Sequence, residues 1–404
     1  MKLTLCMLVK NEEATLPACL GSVKDVVDEI VVLDTGSSER TSDIAKDFGA
    51  RVYTCEWSND FAVARNQSLK YATGDWILVL DADEVLVPEV IPQIKEAIQN
   101  DRFILINLIR HEVGAAQSPY SLVSRLFRNH PDIYFSHPYH ASVDDSIIKI
   151  LEQEKDRWLV VTLSAVAIKH YGYESKVIAS RDKFKIAQQA MEAYLKTHPN
   201  DIYTRNKLAA LYIEIGQVEQ GVELLESTLQ AIPNCNYLEY IEPPILYEIH
   251  YHLGIAYTRI KKLSKAKNHY RHAIQVQVLP QLKIGAYNNL GSLLLQTGDL
   301  TGAKAVYEAV LQIAPNLAIA HYNLGIVHKQ KGRFKEAIAA YEKAIQLNPN
   351  YAEAYQNLGV VLLKVGSVVE SLDAFRKAIA IYEQQQSNVG YQLRQSLTEM
   401  GLRV

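Results

Sequence analysis

From Leu3 to the stretch Tyr171–Arg181, short apolar runs rich in Val, Ile and Leu alternate with polar segments of helical character. Runs that are apolar throughout belong to strands buried on both faces, so the alternation predicts βα units and a largely parallel sheet. Strands are expected at Leu3–Val9, Glu29–Leu33, Arg51–Thr54, Trp76–Leu80 and Phe103–Ile109. Helices are expected over Ala14–Val23, Thr41–Phe48, Phe61–Tyr71 and Val90–Gln99. Beyond Arg181 the strand pattern stops, and apolar residues recur at helical spacing to the end of the chain.

That second half is periodic. Tyr287-Asn288-Asn289-Leu290-Gly291, His321-Tyr322-Asn323-Leu324-Gly325 and Tyr355-Gln356-Asn357-Leu358-Gly359 superimpose, and Pro315 and Pro349 stand at the same interval. Turn glycines follow at Gly298, Gly332 and Gly366. A unit with small residues in its first helix, a glycine turn, an Ala-rich second helix and a closing proline resembles the tetratricopeptide repeat. Looser copies run over His250–Ile274 and Leu208–Pro233, so about four to five repeats are expected. The stretch Asn234–Pro244 exceeds a repeat turn and is expected to bulge from the array. Tyrosine, with 24 copies against 8 Phe and 3 Trp, recurs within the repeats, where it is read as packing.

Composition narrows the function classes. At 404 residues the chain is longer than one core usually organises, which fits the change of pattern and a division at residues 1–175 and 176–404. A net charge of −3 gives no bulk attraction to nucleic acid. Cys6, Cys19, Cys55 and Cys235 have neither zinc-ligand nor disulfide-framework spacing, as in a cytoplasmic protein. The apolar Leu3–Val9 is cut short by Lys10-Asn11-Glu12-Glu13, so no signal peptide is expected, and no later stretch is long enough for a membrane helix.

Chemistry is expected in the first half. The run Gly74-Asp75-Trp76-Ile77-Leu78-Val79-Leu80-Asp81-Ala82-Asp83-Glu84 delivers two carboxylates at the C-terminal end of a strand, where open α/β sheets bind ligands. Residues two apart in extended chain face one side, so Asp81 and Asp83 can lean toward one hard cation, Mn or Mg, whose remaining ligands a diphosphate supplies. The plainer alternative is a pair of acidic caps. Three further segments occur in order. Leu5–Val9 is followed by Lys10-Asn11-Glu12-Glu13; Ile30-Val31-Val32-Leu33 by Asp34-Thr35-Gly36-Ser37-Ser38; and Phe61-Ala62-Val63-Ala64-Arg65-Asn66-Gln67-Ser68-Leu69 precedes the acidic strand. Asp34 can accept from a base or ribose, or simply cap a helix, while Gly36 permits close backbone approach. Arg65 offers a forked donor to phosphate, or braces an acid, and Asn66 can orient a neighbouring carboxylate.

Together these segments resemble family 2 glycosyltransferases over about the first 85 residues. The resemblance implies a Rossmann-like GT-A domain of mostly parallel sheet, followed here by the all-α repeat solenoid. It implies a nucleotide-sugar donor, usually a UDP-sugar, and inversion at the anomeric carbon. It also implies donor contacts from Lys10, Asn11, Glu12, Asp34, Gly36, Ser37, Arg65, Asn66, Asp81 and Ala82. In the subgroup with helical repeats, Ser124-Arg125-Leu126-Phe127-Arg128-Asn129 and Ile133-Tyr134-Phe135 resemble an acceptor-side strand pair followed by a His-Glu pair. Here His140 fits and Ala141 stands in the acid's place. An inverting transfer needs a general base, and Glu84, Glu112, Asp144, Asp145 and His140 remain open. Ile168-Lys169-His170-Tyr171-Gly172-Tyr173 closes the domain; by the resemblance His170 joins Asp81 and Asp83 as a metal ligand, the alternative being a structural histidine. Lys176, Arg181, Lys183 and Lys185 are read as a solvated face.

The expected activity is therefore metal-dependent glycosyl transfer to an acceptor, with a protein or peptide held by the repeats. The competing expectation, resting on Ala141, is a degenerate domain serving as a repeat scaffold. A nucleotidyltransferase is disfavoured because no Gly-rich phosphate loop follows the first strand.

Overall fold

The computed structural model describes residues 1–115, 117–172, 181–232 and 242–403. The chain divides into two compact units, Met1–Lys262 with Gln275–Leu282, and Leu263–Ile274 with Lys283–Val404.

The first unit opens with β1 (Leu3–Val9), α1 (Leu16–Val23), β2 (Glu29–Asp34), α2 (Thr41–Asp47), β3 (Arg51–Thr54), α3 (Phe61–Leu69) and β4 (Trp76–Val79). Each falls within two residues of the ends expected from the apolar runs. There follow β5 (Glu84–Leu86), α4 (Ile91–Ala97), β6 (Phe103–Glu112), β7 (Tyr120–Arg128), α5 (Asp144–Gln153) and β8 (Leu159–His170). The eight strands form one sheet in the order β3-β2-β1-β4-β7-β6-β8-β5. The β3-β2-β1-β4 part is parallel, as the sequence predicts. Beyond it the sheet is mixed: β7 is antiparallel to β4 and β6, β5 is antiparallel to β8, and β6 and β8 are parallel.

Burial on both faces accounts for the unbroken apolar runs. Leu5, Met7, Val32 and Leu78 pack on Leu16, Cys19, Leu20 and Ile94, whereas Cys6, Val31, Ile77 and Val79 pack on the other face with Ala62, Ile147 and Ile150. Alternate residues of one strand thus serve two cores. α6 (Arg181–Thr197), α7 (Ile202–Glu214), α8 (Val218–Ala231) and α9 (Glu242–Arg259) belong to the same unit. The junction placed at 175/176, with Lys176, lies outside the described residues, as do Cys235 and the expected bulge Asn234–Pro244 as far as residue 241; Glu242, Pro243 and Pro244 open α9 instead of a bulge, proline being tolerated in a helix's first turn.

The second unit contains the helix pairs α11 (Ile284–Gln296) and α12 (Leu300–Ile313), α13 (Ala318–Gln330) and α14 (Phe334–Leu347), and α15 (Ala352–Lys364) and α16 (Val368–Gln384), once α10 (Leu263–Gln275) has entered it; α17 (Asn388–Glu399) closes it. Its period has a steric cause. A Cβ on Gly291 would lie 2.6 Å from Tyr307, one on Gly325 2.6 Å from Tyr341, and one on Gly359 2.8 Å from Phe375. Glycine in each first helix therefore admits the buried aromatic of the second. Gly298, Gly332 and Gly366 have positive φ (81°, 70° and 86°) in the turns between them.

Candidate active site

Sheet order reverses at β1, whose chain continues to β2 and β3 on one side while β4 returns on the other. Loops leaving β1, β2 and β4 meet at this switch point, the place where open parallel sheets bind ligands. Val9 is in register with Asp34, and Cys6 with Val79, so Asp34 and the acidic loop after β4 share one edge about 10 Å apart, two strand spacings.

The β1 and β2 loops brace each other. Asn11, in the left-handed region at φ 56°, donates its N–H to Ser37 Oγ (3.0 Å) and accepts from the Ser38 N–H (2.8 Å). The Glu12 N–H donates to Thr41 Oγ1 (2.8 Å). Asp34, 3% exposed, accepts from the backbone N–H groups of Gly36 (3.0 Å) and Ser37 (2.8 Å) and from Ser42 Oγ. Burial raises its pKa, but these bonds outweigh it and hold the carboxyl below its ordinary value. A Cβ on Gly36, at φ 103°, would meet nothing within 4 Å, and Lys10 and Asn11 are exposed on the neighbouring loop.

After β4, Asp81 is gripped by two guanidinium groups. Arg65 of α3 donates to Oδ1 (2.7 Å) and Arg125 of β7 to Oδ2 (2.8 Å). Both arginine side chains are nearly buried, 9% and 12% exposed, against 37% for Asp81. Burial would raise the Asp81 pKa; Arg125 and Arg65 instead carry it far below the usual carboxylate range. Arg65 Nε and Nη1 and Arg125 Nη1 have no acceptor among the described residues. Glu84 is fully buried, accepting from the Asp81 N–H (2.8 Å) and from Arg110 Nη1 (2.7 Å), and Ala82 is packed in the core.

Asp83 takes a different partner, because Glu84 pairs in register with His170 at the end of β8. His170 Nε2 lies 3.2 Å from Asp83 Oδ2, and its Nδ1 lies 2.5 Å from Glu112 Oε2. Burial lowers the histidine's pKa, yet the two carboxylates raise it to about 9. A carboxylate on Nδ1 fixes the ring so that Nε2 faces Asp83, the arrangement that orients a histidine ligand. A Cβ on Gly172 would fall 2.5 Å from His170 Nε2 and 3.1 Å from Asp83 Oδ2, so glycine keeps this space open. Asp83 and His170 thus fit a divalent cation that would replace the proton between them. Asp81, engaged by two arginines, fits that role less directly than the sequence suggests.

The acceptor side begins at a bulge. β7 steps from Leu126 to Val123 while β6 steps from Ile106 to Leu108, so Ser124 and Arg125 together oppose Asn107. Arg125 serves Asp81, and Ser124 Oγ donates to Asp144 (2.6 Å) at the start of α5. Ser142 donates to the second oxygen of Asp144. Burial raises the Asp144 pKa despite both serines. His140 is exposed, at φ 55°, and Ala141 packs against the core beneath. Asn66 spends its amide on Phe135, donating to the carbonyl (2.9 Å) and accepting from the N–H (2.7 Å), so it braces the residue stacked under Arg65. Arg125, Arg110 and Gly172 escaped the sequence analysis as site residues. The signal for Arg125 was its place in Ser124-Arg125-Leu126-Phe127.

This geometry, an acidic strand edge with Asp34 and the Asp81–Asp83 loop at the switch point of a parallel sheet, sits in the part of the chain that resembles known transferases. The description Glycosyl transferase family 2 fits residues 4–157. TPR repeat fits residues 291–332 and 327–366, and Tetratricopeptide repeat fits 352–384 and 247–277. A TPR repeat-containing protein of Synechococcus elongatus is 41% identical over 315 residues, spanning 78% of this chain and 76% of the relative. The SPbeta prophage-derived glycosyltransferase SunS of Bacillus subtilis is 43% identical over 89 residues, only 22% of this chain and 21% of SunS. An uncharacterized glycosyltransferase of Rickettsia bellii is 27% identical over 200 residues, 47% of this chain and 67% of the relative. The chain belongs to the glycosyltransferase family 2 proteins that carry C-terminal tetratricopeptide repeats. Among solved structures, YrrB, described as a TPR protein with an unusual peptide-binding site, covers 52% of this chain and 99% of its own at 17% identity and a TM-score of 0.40. A superposition that loose adds nothing to the helix pairs seen directly. No helix among the described residues is long and apolar enough to cross a membrane.

Proposed function

We propose that this protein transfers a sugar from a UDP-sugar, with inversion, to a protein or peptide acceptor brought by the repeats. The observation that carries this is the paired arrangement after β4: Asp81 clamped by the near-buried Arg65 and Arg125, and Asp83 set against His170 across the space that Gly172 leaves open. Asp34 and the β1 loop orient the nucleoside, and Arg65 and Arg125, two guanidinium groups that share the one carboxylate of Asp81, attract the negative charge of the diphosphate. Asp83 and His170 would hold a Mn or Mg ion, which when bound supplies Lewis-acid stabilisation of the leaving group. Asp144 is the general base. Its carboxyl takes the acceptor's proton as the acceptor oxygen bonds to the anomeric carbon, and the broken C–O bond leaves its electron pair on the diphosphate. Glu84, buried and doubly engaged, is a structural acid here.

The free thiols of Cys6, Cys19 and Cys55 support a reducing, cytoplasmic setting. The scaffold alternative rested on Ala141, and Asp144, three residues on, offers the carboxylate that position lacks. Calorimetry of the full chain against UDP-, GDP- and dTDP-sugars, with and without Mn²⁺, tests the donor. Metal-dependent binding of a UDP-sugar is expected, and binding of none of them would leave only the scaffold.

A further inference from the structure

The loop that leads into Asp144 has an unusual backbone and an unexpected holder. Ser136 and Ser142 close it as a two-residue bridge (N···O 2.8 and 3.2 Å), and within it His137 and His140 both have positive φ, 67° and 55°. That conformation is uncommon for residues other than glycine, histidine adopting it more readily than most, and two so close together call for something to hold them. Here the surroundings are helical. His137 is buried, with Nε2 3.2 Å from Asp145 of α5 and Nδ1 3.6 Å from Asp201 and 3.2 Å from Thr204 Oγ1. Asp201 is the N-cap of α7, accepting from the Thr204 N–H (2.7 Å). The Tyr203 ring lies over His137 at 4.6 Å, Tyr194 of α6 approaches at 5.6 Å, and the Tyr203 hydroxyl donates to the His140 carbonyl (2.9 Å). One turn of α7 therefore touches both left-handed residues.

The two carboxylates face different nitrogens of the His137 ring. Thr204 Oγ1 takes the hydrogen-bond position on Nδ1, with Asp201 just beyond it, and Asp145 takes Nε2, so both sides of the ring are held, one from α5 and one from the first turn of α7. Burial lowers the basicity of His137, but the bond to Asp145 and the charges of Asp145 and Asp201 more than offset it. At the loop's other end Ser142 donates to Asp144. Loop, clamp and candidate base form one connected set.

We propose that α7 is a positioning element of the active site, in which His137 and Tyr203 hold loop 136–142 so that Ser142 presents Asp144 to the acceptor. This rests on Asp144 being the general base. The helices after β8 then do more than recruit an acceptor: a chain ended after β8 keeps the donor edge and loses the support of its acceptor loop.

Hydrogen exchange of the full chain, read on peptides covering the loop, decides the matter. Tyr203→Phe removes the hydroxyl bound by His140, and His137→Asn removes the bridging ring. Each is expected to speed exchange in the loop by about tenfold or more, with β1, β2 and β4 unchanged. Loop exchange like the parent's in both variants overturns the proposal. In parallel, Mn²⁺-dependent hydrolysis of UDP-glucose, UDP-galactose and UDP-N-acetylglucosamine to UDP and free sugar, with water in the acceptor's place giving its proton to Asp144, is followed against pH. The clamp predicts a lower kcat with the donor KM within about twofold, and a displaced acidic inflection. A fall in kcat that merely tracks the folded fraction, with the inflection in place, also overturns it. Asp144→Asn separates the two ideas: full UDP release by that variant removes the base assignment, whatever loop exchange shows. A parent chain that releases no UDP counts against the transferase proposal, while exchange still decides the clamp.

Discussion

Asp81 and Asp83 stand two residues apart and should fail in different ways. Asp81→Asn removes the charge that two guanidinium groups share, at 2.7 and 2.8 Å, while those groups stay nearly buried at 9% and 12% exposure. Stripping one partner from a fully buried pair costs about 3–5 kcal/mol. Asp81 is itself 37% exposed, and Glu84, 4.0 Å from Arg125, retains part of the compensation, so about 2–4 kcal/mol is expected here. Asp83→Asn removes a contact of 3.2 Å to a histidine that keeps Glu112, with both side chains partly open to solvent, and about 1 kcal/mol or less is expected. All three tryptophans, Trp57, Trp76 and Trp158, lie in the sheet region, so urea unfolding read by tryptophan fluorescence reports this unit alone. A difference of about 2 kcal/mol is a midpoint shift of about 0.7 M at a slope of about 3 kcal/mol/M. Both variants should lose metal-dependent UDP-sugar binding in calorimetry, only the first with a marked loss of stability. Equal midpoints would refute the division of labour between arginine-bound Asp81 and cation-facing Asp83.

Two further outcomes follow from glycines. Gly172→Ala would place a methyl 2.5 Å from His170 Nε2, forcing the ring away from Asp83; Mn²⁺-dependent donor affinity should fall by about tenfold or more with little change in the urea midpoint, and unchanged affinity would detach the pair from metal binding. Gly325→Ala would place one 2.6 Å from Tyr341; overpacking of about 1–3 kcal/mol should lower the melting of the repeat helices in circular dichroism while donor binding persists, and an unshifted melt would remove the steric account of the repeat.

What the sequence discloses and what it hides have separate physical causes. The β3-β2-β1-β4 strands were legible because burial on both faces leaves unbroken apolar runs, and their C-terminal ends mark the ligand edge wherever the sheet is parallel. The repeats were legible because an aromatic in one helix demands glycine in the other. Arg125 was not, since its reach to Asp81 depends on a bulge that exists only once β6 lies alongside β7. Glu112 reads as one acid among several until β6 and β8 align it with His170. Asp201, Tyr203 and Thr204 belong to a helical pattern that announces packing, and nothing in that pattern says that their first turn faces a loop some sixty positions earlier.

The bulge is also what joins the two halves of the site. In regular extended chain Ser124 and Arg125 would point to opposite faces of the sheet; with an extra residue between Val123 and Leu126, one reaches Asp144 and the other Asp81. Adjacent substitutions should therefore act on separate halves of the reaction. Arg125→Lys keeps a charge but loses the fork, so donor affinity should weaken with the acidic limb of the pH profile in place. Ser124→Ala should do the reverse. The serine's bond stabilises ionised Asp144, and its loss should raise further a pKa that burial already holds above its ordinary 3.8. A base works only when ionised, so the rise of UDP release with pH should shift to higher pH while donor affinity is retained. If Ser124→Ala weakened donor binding as Arg125→Lys does, or left the limb unmoved, the two residues would belong to one function and Asp144 would not be the base.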